Sequence, residues 1–179
     1  APPSAAPGRR AGRGRRGRAV ETVRGRADGR PGLFLGRHVG YPVAVEGALK
    51  RKERADSQAE GFAAGELKHG PIALIEPGQP VFVSVPSPSS EHGLHGKVVS
   101  NIQEVRARGA RTIVIAEEGD NDVVPFADVI IRVPATPPPL APPVTTAPSQ
   151  VSASHPAAAT GPDGAPPPNR PLTPSRAHP

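Results

Sequence analysis

Apolar residues gather between positions 33 and 134, and their spacing predicts alternating strands and helices. Leu33-Phe34-Leu35-Gly36 is a short apolar run closed by glycine, which suits a buried strand. Pro42 can then occupy the first turn of a helix whose apolar positions are Val43, Val45 and Leu49. The second half of that helix, Arg51 to Gln58, offers almost nothing to bury, so its end is expected to be frayed or solvated. After Gly61 to Ala64 and Gly65-Glu66-Leu67-Lys68-His69-Gly70, Pro71 can start a short helix before the turn Glu76-Pro77-Gly78. Val81 to Val85 reads as a strand ended by Pro86, with Ser89 or Ser90 available to cap the next helix. Leu94, Val98, Ile102 and Val105 recur in that helix at helical spacing, and Gly109 ends it.

Thr112 to Ala116 and Val129 to Val133 are two further strands, β-branched and apolar on both faces. Strands of that kind belong to parallel sheets covered by helices. The order strand, helix, strand, helix, strand, strand therefore predicts an α/β fold with a doubly wound, mostly parallel sheet. In such folds ligands bind beyond the carboxyl ends of the strands. The acidic run Glu117-Glu118-Gly119-Asp120 lies at one such end.

Composition narrows where function can reside. The chain has 179 residues, 26 of them proline and 20 glycine, with only 3% aromatics. Residues 1–32 are dominated by Arg, Gly, Ala and Pro, and residues 135–179 hold 14 prolines. Neither flank can bury a conventional core, so both read as disordered, an Arg/Gly-rich arm and a Pro-rich tail around one small domain at 33–134. Within the arm, Gly12-Arg13-Gly14-Arg15-Arg16-Gly17 matches the spacing of a dinucleotide-binding fingerprint. No strand precedes it and no apolar helix follows, so the match carries no chemistry.

The net charge of +6 also belongs to the arm, where nine arginines face Glu21 and Asp28. Residues 33–134 carry eleven basic and thirteen acidic residues. An arm of this kind could meet nucleic-acid phosphates in a salt-dependent way, but it has no aromatic ring to stack on bases, and nucleic acid is not the expected partner of the domain. The absence of cysteine removes disulfides, thiolate nucleophiles and Cys-type zinc sites, and fits a reducing compartment. No apolar run reaches the roughly 18 residues needed to cross a bilayer, and no secretory signal is expected.

Three groups in the domain could carry chemistry. Glu46, Lys50 and Glu53 fall on one helix face, and a carboxylate beside a cation can act as general base if the site is dry. The same residues also read as a solvated charge run. His69, between Lys68 and Gly70-Pro71, could serve as an acid or base near neutral pH, or be a surface loop histidine. Glu117, Glu118 and Asp120 could ligate a metal, but no histidine accompanies them at ligand spacing, so they read as a solvated loop.

Taken together, Leu33 to Arg37, Tyr41 to Lys50, Ala59 to Pro71 and Ser100 to Gly109 resemble the second sugar-isomerase (SIS) domain of the glutamine:fructose-6-phosphate aminotransferase family, also called glucosamine-6-phosphate synthases. The resemblance is strong over 33–134 and extends weakly to about Val151, so it covers part of one domain of a longer enzyme. It implies roles residue by residue. Glu53, three positions after the lysine of Glu46-Gly47-Ala48-Leu49-Lys50, would move the proton between C1 and C2 of the sugar. Lys50 would help to hold and polarise the open-chain sugar. His69, in Gly65-Glu66-Leu67-Lys68-His69-Gly70-Pro71, would assist ring opening from across a homodimer interface.

The resemblance further implies fructose 6-phosphate as the ligand, glucosamine 6-phosphate as the product, a cytoplasmic setting, and no metal or organic cofactor. It also marks departures. The family releases ammonia with a cysteine and forms a Schiff base with a C-terminal lysine, whereas this sequence has no cysteine and only Lys50, Lys52, Lys68 and Lys97. These residues alone are therefore not expected to complete the synthesis. Arg51, Arg54 and Asp56 stand where the family has apolar or aromatic residues, and Pro143, Ser149 and Ser152 stand where it has Leu or Phe. Two other function classes stay open: a non-catalytic phosphosugar sensor, and weak nucleic-acid binding through residues 1–32.

Overall fold

The computed structural model describes residues 30–55, 58–90, 93–136 and 145–146. The readings of the arm, of most of the tail, and of Asp56, Pro143, Ser149 and Ser152 lie outside these residues, as does the side chain of Arg54. Among the described residues, five strands form one parallel sheet: β1 (Gly32–Gly36), β2 (Ala59–Ala63), β3 (Pro80–Ser84), β4 (Arg111–Glu117) and β5 (Val129–Val133). Their order is β2-β1-β3-β4-β5. Helix α1 (Gly40–Ala55) links β1 to β2, and α2 (Leu94–Ala107) links β3 to β4.

Side-chain alternation along the strands sorts the core into two layers. Phe34, Phe82, Ile113, Ile115 and Ile131 point to the layer that holds Ala44 and Ala48 of α1. Leu33, Leu35, Val81, Val83 and Val114 point to the layer that holds Val98, Ile102 and Val105 of α2. The sheet is thus wound on both faces, as the apolar strands predict. Phe34 and Phe82 stack across β1 and β3 with ring centroids 4.4 Å apart.

The structure corrects several local expectations. Strand β2, Ala59-Glu60-Gly61-Phe62-Ala63, carries no β-branched residue, yet it pairs along the whole of β1. Gly61 is what lets α1 lie on it, because a Cβ there would sit 2.7 Å from the Val45 Cα. The buried stripe of α1 is Val43, Ala44, Gly47, Ala48 and Arg51, whereas Val45 and Leu49 are exposed. The helix therefore does not lose its inner face at residue 51. Ser89 and Ser90 do not cap α2, which starts at Leu94 behind Gly93 in the left-handed conformation, with no side-chain cap. Ser87 instead accepts the Ser89 N–H. Pro71 does open a short 3₁₀ turn, Pro71–Leu74.

Arg51 is the largest fully buried side chain among those described. Its Nη2 donates to the Arg30 carbonyl at 3.2 Å, and its guanidinium lies 5.6 Å from the centroid of the Phe82 ring. Desolvation pushes its pKa below the usual arginine value. The expectation that α1 has nothing to bury from Arg51 onward is therefore corrected at Arg51 itself.

Candidate functional site

The carboxyl ends of β1, β3, β4 and β5 surround a small cavity of about 50 Å³ lined by Arg37, Gly40, Ser84, Ser87, Glu117 and Val133, among others. The entry to α1 is tight: a Cβ on Gly36 would lie 1.9 Å from the Gly40 carbonyl oxygen, so the chain turns into the helix only with glycine at this place. Ligand pockets for small molecules run to about 300–1,000 Å³. At about 50 Å³ this cavity is well below that range.

Lys50 and Glu53 lie one turn apart on α1. The Lys50 ammonium donates to Glu53 Oε2 at 2.8 Å and lies 3.8 Å from Glu46 Oε1, so the three charges share a face as their spacing predicts. Glu53 is 48% exposed. Along the same helix, Tyr41, Val45 and Leu49 recur every fourth residue and are also exposed, forming an apolar stripe that leads towards Glu53.

His69 ends the 3₁₀ turn Ala64–His69 that follows β2. Its Nδ1 lies 2.7 Å from Glu66 Oε2, which fixes the ring while leaving the side chain 72% exposed. Lys68 ties this turn to α2 through Glu104 at 3.0 Å. Gly70, at φ 156°, lets the chain reverse into Pro71.

The structure does not bring Glu53 and His69 together within the chain. Helix α1 leaves the carboxyl end of β1 and, at about 1.5 Å per residue, travels back along the sheet. The last turn of α1 lies beside the amino ends of β1 and β2, where Arg51 reaches the Arg30 carbonyl and the Gly32 N–H donates to Gln58. His69 follows the carboxyl end of β2. The two groups thus stand at opposite ends of the strands, both open to solvent.

The acidic loop after β4 departs from its reading. Glu118 is exposed, but Asp120 is buried and bonded to His95, a residue from the first turn of α2 that sequence distance concealed.

The parallel sheet, with helices on both faces and its candidate chemistry on the connections leaving β1, β2 and β4, places the chain among doubly wound α/β domains, and comparison with known proteins then gives a family. The SIS domain model matches residues 32–159, and the chain belongs to that family. It is 69% identical over 129 residues to a glutamine--fructose-6-phosphate aminotransferase [isomerizing] of Streptomyces coelicolor, and 63% identical over 131 residues to that of Mycobacterium tuberculosis. These alignments cover 72% and 73% of this chain, and the chain spans about a fifth (21%) of the length of either relative. Among solved structures, the C-terminal domain of glucosamine-fructose-6-phosphate aminotransferase from Francisella tularensis superposes with a TM-score of 0.73 at 35% identity, over 82% of this chain and 40% of that one. An Escherichia coli protein in complex with A5P shares the fold, with a TM-score of 0.63 at 12% identity, over 83% of this chain and 87% of that one. No described helix is long and apolar enough to cross a membrane.

Proposed function

We propose that this chain supplies acid–base groups for the isomerising half of glucosamine 6-phosphate formation from fructose 6-phosphate and glutamine. Glu53 is the base that carries the proton between C1 and C2 of the open-chain sugar. Lys50 holds the Glu53 carboxylate in place and polarises the substrate, and His69 assists ring opening. The observation that carries this reading is the paired Lys50–Glu53 constellation, set one turn apart on α1 at 2.8 Å in a chain 69% identical to a protein of that name.

Because Glu53 and His69 stand at opposite ends of the strands, each serves a different active site, and the working unit is a homodimer. The apolar stripe of Tyr41, Val45 and Leu49 supports this, since a surface covering it would also exclude water from Glu53. Such a proton transfer needs a dry site, which the open side chain of Glu53 does not have on its own. The reaction belongs to the cytoplasm, where phosphorylated sugars are metabolised.

The test is a full-length chimera in which residues 32–134 replace the matching stretch of the Streptomyces coelicolor relative. It is expected to make glucosamine 6-phosphate, and Glu53→Gln is expected to lower kcat about a thousandfold while fructose 6-phosphate still binds. A folded chimera that binds fructose 6-phosphate but makes no product would overturn the catalytic reading in favour of a sensor.

A further inference from the structure

Away from the groups used above, the first turn of α2 and the loop after β4 bring together His95, Asp120 and Asp122, with one donor atom from each within 4.8 Å of the others. The arrangement is layered. His95 Nε2 lies 2.8 Å from Asp120 Oδ2, and the Asp120 side chain is only 1% exposed. The other oxygen, Oδ1, accepts the Asp122 N–H at 3.1 Å. The loop itself is pinned by Arg132, whose Nη1 donates to the carbonyls of Glu117 and Asp120 at 2.8 and 2.7 Å.

A carboxylate accepts, so His95 Nε2 donates in this bond, and in the neutral ring that leaves the lone pair on Nδ1. That lone pair faces Asp122 Oδ2 at 3.9 Å. Two electron-pair donors therefore oppose each other, one on a ring held from behind and the other on a carboxylate 74% exposed and free to adjust. Two ligands about 2.0–2.1 Å from a tetrahedral zinc ion stand about 3.4 Å apart, so the exposed Asp122 carboxylate would close in by about half an ångström. A buried carboxylate that orients a histidine whose second nitrogen is open is the arrangement found behind metal-bound histidines. Beside it lies a groove of about 450 Å³ whose polar lining includes Ser100, Gln103 and Asn121, with room for water to complete a coordination sphere.

We infer that His95 Nδ1 and Asp122 bind a divalent transition cation of the zinc type, with Asp120 as the positioning residue. The site bridges α2 to the β4–β5 loop and is independent of the sugar chemistry proposed for Glu53 and His69. The experiment is calorimetric titration of zinc into the full chain near neutral pH in a non-chelating buffer, with ¹⁵N-resolved imidazole spectra recorded in parallel. One zinc per chain is expected, with the coordination shift on His95 Nδ1 and not on Nε2. Asp122→Asn should weaken binding at least tenfold, and its exposed position leaves the fold intact. Asp120→Asn should weaken binding about 10- to 100-fold by releasing the tautomer. The inference is overturned if zinc produces no saturable heat. Binding that survives Asp122→Asn unchanged would overturn it equally, since the metal would then reside on other histidines.

Discussion

Replacing Arg51 with leucine should stabilise the domain, although it deletes a hydrogen bond and a ring contact. The guanidinium is fully buried in the layer between α1 and the sheet. Removing such an ion from water costs several kcal/mol, about 5 after relaxation. Leucine removes that cost and adds about 2 kcal/mol of apolar burial. Against this stand about 2 kcal/mol for the charge-assisted bond to the Arg30 carbonyl and about 2 kcal/mol for the cation over the Phe82 ring. A further loss of about 1 kcal/mol comes from the space that leucine leaves. With about 1 kcal/mol more for the further interaction that Arg51 makes, the balance is a gain of about 1 kcal/mol, which should raise the midpoint of urea unfolding by about 0.5 M. Burial lowers the Arg51 pKa, so the folded chain holds this proton less tightly than the unfolded one. The penalty is therefore constant near neutrality and eases only as pH rises into the alkaline range where the group deprotonates. Paired urea melts of wild type and Arg51→Leu decide the matter. An unchanged or lower midpoint for the variant would show that the guanidinium is better compensated than this reasoning holds.

The same substitution should act in opposite directions at two glycines. Gly36→Ala drives a Cβ into the Gly40 carbonyl and should cost about 3 kcal/mol in chemical denaturation, whereas Gly96→Ala, inside α2 with nothing within 4 Å, should gain about 0.5–1 kcal/mol. Thr112→Val removes a buried hydroxyl that donates to the Phe126 carbonyl at 2.7 Å and accepts the Asp128 N–H at 3.1 Å. It should cost about 1–3 kcal/mol, with hydrogen exchange quickening first at the start of β5.

Much of the fold is legible in the sequence because β1, β3 and β4 are buried on both faces and advertise this with continuous apolar or β-branched runs, while β5, half-buried on one face, is still mostly β-branched. Strand β2 is not legible: its small and polar residues suit an edge position under a closely packed helix, where glycine at 61 matters more than β propensity. The inner face of α1 is hidden for a related reason. Its stripe is built from alanine and glycine and then continued by Arg51, so the more conspicuous Val45 and Leu49 suggest the wrong side. At the site, the spacing of Glu46, Lys50 and Glu53 does foretell their shared face, since helix periodicity alone determines it. The placement of His69 at the opposite end of the strands depends on the path of β2, and the contact of His95 with Asp120 joins residues 25 apart. Neither follows from local pattern.

The central claim is that Glu53 of one copy works with His69 of another, and mixing two inactive variants of the full-length chimera tests it most directly. Glu53→Gln and His69→Ala should each be nearly inactive alone. Dissociated and reassembled together in equal amounts, they should form hybrid dimers in which one of two sites is intact, restoring about a quarter of the unsubstituted activity. If the reassembled mixture stays as inactive as its parents while hybrid dimers demonstrably form, the two residues act within one chain or not at all, and the account fails.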